Sequence, residues 1–176
     1  KEKKPEIQTV GVDPVGSLYY DYFKTGKLTE AHSYKVEGIG EDFLPSTMNF
    51  DFVDEVVRVT DKECFDMARR LVREEGVLCG QSCGASVIGA VKYAEMTGRK
   101  MRIIAHLPDT AYRYLSKHLD DDWMRENGFL ERPKRNTVLE SLETKDSGTG
   151  SLVTVEPTTP VRIALSAITA YDIGQL

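Results

Sequence analysis

The residues best able to do chemistry lie in one short stretch, Val77 to Ser86, which reads V-L-C-G-Q-S-C-G-A-S. Ser82 stands there between Gly80 and Gly84, two residues that permit positive φ and close backbone approach. The stretch leads into a helical run, so the Ser82 hydroxyl is expected near free amides and a positive dipole end. Three chemistries fit this pattern. The glycines can form a plain strand-to-helix turn in which Ser82 or Ser86 is only the N-cap. Gly80-Gln81-Ser82-Cys83-Gly84 also matches the G-x-S-x-G nucleophile elbow. In the third, Ser82 hydrogen-bonds a heteroatom of a cofactor. The motif alone does not choose among them.

A second stretch, Tyr34 to Pro45 (Y-K-V-E-G-I-G-E-D-F-L-P), places Gly38 and Gly40 where their amides stay uncovered on one side. Uncovered amides suit a carboxylate or a ring, whereas Glu37 and Glu41 repel an anion unless they point away. An elbow hydrolase needs an acid and then a histidine at later strand ends. Asp109 is placed suitably, but His118 follows only nine residues later within an expected helix, and no histidine comes after it. Cys64, Cys79 and Cys83 give no C-x-x-C, and His32, His106 and His118 supply no zinc-like pairing, so no metal site is expected. Cys64 reads as a helix-core residue.

The elements that must position these groups alternate. Ile7 to Val12 is a short β-branched strand running into Asp13-Pro14-Val15-Gly16-Ser17, and Val53 to Val59 is a second strand. Thr60-Asp61-Lys62-Glu63 is a capping box opening a helix over Asp61 to Glu75, closed by Gly76. Its Phe65, Ala68, Leu71 and Val72 form an apolar face, and Arg69, Arg70, Arg73 and Glu74 are expected to be wet. A second helix is expected over Ala85 to Thr97, a strand over Arg102 to Leu107, and helices over Tyr112 to Leu119 and Asp121 to Asn127. Leu18 to Lys35 shows no sustained period and reads as a mobile surface segment. The recurring order of strand, loop and helix implies an α/β fold, a three-layer sandwich with a largely parallel sheet. Arg132 to Gly150 is polar and linker-like. Leu152 to Val155 then begins a strand, and Val161, Ala164, Leu165 and Ile168 mark a helix face.

The chain has 176 residues, 40% of them apolar and 29% charged, enough for a sizeable core. A net charge of −5 argues against a dedicated nucleic-acid binder, and no apolar run reaches membrane-spanning length. The odd cysteine number and the absence of a signal-like start point to a reducing cytoplasm.

With these stretches in hand, the chain resembles the C-terminal half of the catalytic domain of the cystathionine β-synthase family, fold-type-II pyridoxal phosphate enzymes. The resemblance rests on G-V-D-P-x-G-S at Gly11 to Ser17, V-E-G-I-G-x-D-F-x-P at Val36 to Pro45, E-G-x-L-C-G-x-S at Glu75 to Ser82, L-P-D at Leu107 to Asp109, and the segment ending G-F-L at Leu130. It implies three parts: residues 1–130 of a catalytic domain, a linker over 131–150, and over 151–176 the start of a Bateman-type α+β regulatory repeat. The implied cofactor is pyridoxal 5'-phosphate, bound by Ser82, Gly80, Gly84, Pro108 and Asp109, with Ser82 on the pyridine nitrogen. Gly38, Ile39, Gly40 and Glu41 are implied to meet substrate. The implied reaction condenses L-serine with homocysteine, and a cysteine synthase using O-acetylserine and sulfide is the alternative. A nucleotide-sensing regulatory protein is the reading from another class. The family's Schiff-base lysine and phosphate loop have no counterpart here, so this segment is expected to need the other half of the same domain. A homodimer and an adenosyl ligand at the regulatory module are also implied. Where the family carries tyrosine after E-G-I-G, this chain has Glu41.

Overall fold

The computed structural model describes residues 1–131 and 154–171. Strands β1 (Val10–Pro14) and β2 (Glu55–Val59) run parallel, Val10 opposite Glu55 and Pro14 opposite Val59. Val56, Val57 and Val59 are buried while Glu55 and Arg58 are half-buried, the burial expected of parallel strands covered by helices. Both strands begin two or three residues later than the sequence suggested, because pairing with a neighbour defines a ladder and β-branching does not.

β2 passes directly into helix α2 (Asp61–Glu75). The Thr60 hydroxyl accepts the Glu63 amide at 3.3 Å and the Glu63 carboxylate accepts the Thr60 amide at 2.7 Å, which is the expected capping box. Gly76 closes the helix in the left-handed conformation. Cys64, Phe65 and Ala68 are buried as expected, but Arg69 is not wet. It is 5% exposed, donates to the His118 carbonyl at 2.8 Å and pairs with Asp121. A partner some fifty residues along the chain is what periodicity within α2 could not reveal.

Helix α3 spans Gln81–Thr97, four residues longer at its start than expected. Gly80 is its N-cap with φ −82°, so neither Gly80 nor Gly84 uses a left-handed conformation. Gly84 serves close packing instead: a Cβ there would stand 2.1 Å from the Cys64 carbonyl oxygen, so α2 and α3 touch backbone to backbone. Gly89 does the same against β1, where a Cβ would meet Val12 Cγ2 at 2.4 Å. Val36, Val59, Cys64, Phe65, Ala85 and Met124 form the core around these contacts.

Part of the Leu18 to Lys35 segment, which shows no sustained period in sequence, is helical. Helix α1 (Tyr19–Thr25) follows the buried Leu18, and Phe50 lies 5.3 Å from the Tyr22 ring and 6.1 Å from those of Tyr19 and Phe23. Residues Arg102 to Leu107 do not form a strand. Ile104 is 91% exposed, and among the described residues no neighbour supplies the ladder that would make the segment one. The expected helix over Tyr112 to Leu119 is a single 3-10 turn, Ala111–Tyr114. Helix α4 (Asp121–Glu126) is capped by Asp120, whose carboxylate accepts the Trp123 amide at 2.9 Å. It carries Met124 into the core, and Trp123 and Phe129 meet the edge of Phe65.

The chain divides into two units, Lys1–Glu131 and Arg132–Leu176. The described part of the second contains helix α5 (Val161–Tyr171), starting just after Pro160 as its sequence suggested. The linker expected before Gly150 falls on undescribed residues except for Glu131, and Leu152 and Val153 of the expected strand lie outside the described residues as well.

Candidate functional site

Ser82 is the second residue of α3 and is 3% exposed, inside the first turn where the helix amides have no intrahelical acceptor. Its hydroxyl makes no hydrogen bond to the described residues and lines a cavity of about 690 Å³ beside Ala85 and Ser86. Gly38 faces it across the site: with φ +80° and no side chain, a Cβ on Gly38 would lie 3.9 Å from Ser82 Oγ. A nearly buried hydroxyl with an open partner position, set at the positive end of a 17-residue helix, is a site for an acceptor atom on a ligand.

The Gly38–Glu41 loop is held in place from four directions. Asp61, the first residue of α2, accepts the Lys35 and Val36 amides, each at 2.8 Å. Gln81, the first residue of α3, accepts the Glu37 amide at 2.9 Å. Tyr34 donates to the Ile39 carbonyl at 3.1 Å. At the far end the Ser17 hydroxyl accepts the Glu41 amide at 3.0 Å, and the Glu41 carbonyl accepts the Leu18 amide at 3.1 Å. Gly40 has φ +73° and a Cβ there would be 2.6 Å from Pro14, so the loop lies directly on the turn after β1. The amides of Gly38, Ile39 and Gly40 donate to no acceptor among the described residues. The Gly11 to Ser17 and Val36 to Pro45 stretches, separate in sequence, thus form one wall.

Asp109 braces the start of α3. Its carbonyl accepts the Gly80 amide and the Cys83 thiol, both at 3.4 Å, and its carboxylate accepts the Tyr114 hydroxyl at 2.8 Å. A Cβ on Gly80 would be 2.1 Å from Asp109 Oδ1, so Gly80 is what lets this segment close in. Burial, and then Asp109, push the Tyr114 phenol up to about 12, and it stays a donor. Pro108 is exposed beside Asp109. Burial and the neighbouring Cys83 raise the Cys79 thiol to about 11, and burial raises Cys64 to about 12, so neither offers a thiolate.

The elbow-hydrolase reading does not survive this geometry. His118 is fully buried, its ring is stacked on Phe65, and neither ring nitrogen has a hydrogen-bond partner. Burial, with Arg69 adding to it, drives its pKa down to about 4. Asp109 is engaged with Tyr114, so no relay links an acid, a histidine and Ser82.

Gln81 and Asp61, two of the residues that hold the loop, are not singled out as site residues by the sequence. Gln81 is the unspecified position of G-x-S-x-G, and Asp61 lies inside the capping-box segment between Thr60 and Glu63. The signal that marks them is position: each is the first residue of a helix, where a side-chain acceptor can leave the helix to serve a neighbouring loop.

Comparison with known proteins places the chain in a family. The pyridoxal-phosphate dependent enzyme family matches residues 1–109. A cystathionine beta-synthase from Dictyostelium discoideum is 37% identical over 183 residues, covering 100% of this chain and 36% of its own length. One from Oryctolagus cuniculus is 45% identical over 131 residues, 74% of this chain and 24% of the relative. The crystal structure of an O-acetylserine dependent cystathionine beta-synthase from Helicobacter pylori superimposes with a TM-score of 0.58 at 33% identity, covering 66% of this chain and 36% of that one. The chain therefore spans about a third of the length of such relatives. The free Ser82 hydroxyl opposite a glycine fits a pyridine nitrogen. Together, the match over most of the chain, the partial α/β fold and the cystathionine beta-synthase relatives show that this chain belongs to the fold-type-II pyridoxal-phosphate dependent enzymes.

Proposed function

We propose that the protein containing this chain catalyses β-replacement, condensing L-serine with homocysteine to cystathionine, a transsulfuration step toward cysteine. The observation that carries the reading is the unpartnered, nearly buried Ser82 hydroxyl facing Gly38 at the start of α3. Bound pyridoxal phosphate supplies an electron-withdrawing ring that acidifies an amino acid's α-hydrogen and lets a β-substituent depart.

This chain's residues set how strongly that ring acts. Ser82 would donate a neutral hydrogen bond to the ring nitrogen of the bound cofactor and would bring no negative charge to hold a proton there. The positive end of α3 works in the same direction, disfavouring a second positive charge beside it. Ser82 and the start of α3 would thus disfavour full protonation of the ring, which would suit loss of a leaving group over deeper carbanion chemistry. Gly80 and Gly84 shape the helix start, and Pro108 and Asp109 close the ring's edge, with Asp109 fixing the turn by its bond to Tyr114. The free amides of Gly38, Ile39 and Gly40 receive the substrate carboxylate, and Glu41 borders the second substrate. The lysine that carries the cofactor, and its phosphate loop, come from the rest of the domain.

A second reading takes O-acetylserine as the donor, with homocysteine or sulfide as acceptor. The Helicobacter pylori structure, whose protein is O-acetylserine dependent, favours it. The remaining parts of the proposal are a cytoplasmic homodimer and a regulatory module of Bateman type binding an adenosyl ligand. The described residues contain no helix long and apolar enough to cross a membrane.

The test uses the full-length protein. An absorption band near about 410 nm, lost on borohydride treatment, reports the bound cofactor. Mass spectrometry then follows cystathionine formed from homocysteine with L-serine or O-acetylserine. The band together with product from serine supports the first reading, and product from O-acetylserine alone supports the second. Absence of both band and product removes the proposal.

A further inference from the structure

We infer that Lys117 is a positioning residue for this site: by pairing with Glu37 it locks the Gly38–Glu41 loop to the segment that braces the start of α3, and so holds Gly38 opposite Ser82. The kinetic part of the test rests on the β-replacement reading. The pair closes a circuit of contacts around Ser82. From α3 the Gln81 side chain accepts the Glu37 amide at 2.9 Å, and the Glu37 carboxylate pairs with Lys117 Nζ. The Lys117 amide donates to the Tyr114 carbonyl at 3.0 Å, and the Tyr114 hydroxyl donates to the Asp109 carboxylate at 2.8 Å. The Asp109 carbonyl then accepts the amide of Gly80, the N-cap of α3, at 3.4 Å. Each of the other links has a buried residue at one end, Gln81, Tyr114 or Gly80. The ion pair alone is half-exposed, at 38% for the Lys117 side chain and 48% for that of Glu37, which makes it the link most open to perturbation.

The two partners differ in how firmly their backbones are held, and that gives the pair its direction. Lys117 is a fixed post: its carbonyl accepts the Asp120 amide at 2.9 Å, and the carbonyl of the next residue, His118, is held by the buried Arg69 at 2.8 Å. Glu37 is the last tethered residue before Gly38, Ile39 and Gly40, whose amides donate to no acceptor among the described residues. Gly38 itself has φ +80° and no side chain to pack, so the restraint on Glu37 decides where it stands. Among the described residues this is the one ion pair that the Tyr34 to Pro45 stretch makes. Charge explains why a lysine belongs there. The field of Glu37 reaches Tyr114, which already carries the Asp109 carboxylate, and Arg113 is the cation that opposes them. Without Lys117 the Glu37 carboxylate would be left unneutralised beside that second carboxylate, and like charges would push the loop away from the brace.

The test is a charge swap in the full-length holoenzyme: Lys117→Glu, Glu37→Lys, and the two together. Each single change replaces an attraction by a repulsion of similar size, so KM for L-serine should rise by about threefold to tenfold while kcat stays within about twofold. Hydrogen exchange of the Val36 to Glu41 segment, followed by mass spectrometry, should quicken in both single variants. The double variant restores an ion pair with its charges reversed, and it should recover most of the KM and the slow exchange. A lysine that met substrate directly, or an ordinary surface pair, would not be rescued in this way. Single variants with wild-type KM and exchange, or a double variant no better than the singles, overturn the inference and leave β-replacement standing. If a reversed variant does not fold, Lys117→Gln and Glu37→Gln take its place, and wild-type KM and exchange in both overturn it. If L-serine gives no product in the wild type, the β-replacement reading fails. The exchange measurement, which needs no substrate, then decides the pair: quickening in the singles with recovery in the swap sustains it, and any other pattern overturns it.

Discussion

Gln81 and Glu37 are joined by one hydrogen bond, the Glu37 amide donating to the Gln81 side-chain oxygen at 2.9 Å, and through it the Gly38–Glu41 loop is tied to the residue next to Ser82. Gln81 is fully buried and its Nε2 has no partner, so the side chain serves the loop by its oxygen alone. Gln81→Leu keeps the volume and loses the acceptor, removing a part-buried hydrogen bond at a cost of about 0.5–1.5 kcal/mol. The Glu37 amide is expected to exchange its hydrogen faster, and KM for the amino-acid substrate to rise more than kcat falls. Gln81→Glu, which retains an acceptor oxygen, should recover most of the slowed exchange. Normal exchange at Glu37 in Gln81→Leu would remove the clamp.

Ser82→Asp places a carboxylate where a neutral hydroxyl stands. An anion beside the ring nitrogen favours its protonation and so redirects the ring's electron demand. In the full-length protein, β-replacement should fall by about two orders of magnitude, equivalent to about 3 kcal/mol of barrier, while cofactor content measured by absorbance stays near that of the wild type. Wild-type turnover in this variant would remove Ser82 from the ring nitrogen.

Glu41→Tyr restores the residue usual in the family. Glu41 lines the groove beneath the loop and its amide is held by Ser17, so the change is made at the position proposed to border the second substrate. The apparent affinity for the thiol should change more than that for serine, as read from initial rates with each substrate varied in turn. The opposite pattern would place Glu41 outside the second pocket.

His118 gives a pH signature of folding. Its folded pKa of about 4 lies below the ordinary 6.5, so between these values the unfolded chain binds a proton that the folded chain does not. Stability therefore rises with pH across that window: the contribution is fully present above about 6.5, declines as pH falls and is lost below about 4. The whole effect is on the order of 3 kcal/mol. Urea unfolding at several pH values should show a shallower decline between pH 7 and 4 for His118→Phe, which keeps the stacking on Phe65. Parallel curves for the two proteins would mean that His118 is not buried neutral.

Gly84→Ala tests the contact of α2 with α3. The added methyl would fall 2.1 Å from the Cys64 carbonyl and 2.7 Å from the Ala68 amide nitrogen, both backbone atoms that move only with their helix. A loss of about 2–3 kcal/mol or more is expected in denaturant unfolding. Stability within about 0.5 kcal/mol of wild type would show that the helices are not in backbone contact.

Some of this protein is determined locally, and the sequence shows it. The capping box at Thr60 and Glu63, the stop at Gly76 and the order of strand, turn and helix depend on residues a few positions apart. The Gly38 and Gly40 pair is visible in the sequence as well, but that both adopt positive φ is known only from the structure. Other features depend on what lies across space. Gly80 and Gly84 were legible as special, but as turn residues, because glycine's two uses, conformational freedom and closeness, look alike until a neighbour such as Cys64 or Asp109 is in place. Arg69 reads as solvent-facing until His118 and Asp121 arrive to bury it, and Arg102 to Leu107 reads as a strand whether or not a ladder exists for it. The sequence alone determined which side chains could meet a ring and a carboxylate. Only the tertiary structure decided that Asp61 and Gln81 tie the segment around Gly38 to the starts of α2 and α3, because hydrogen bonds between distant segments leave no periodic mark in a chain.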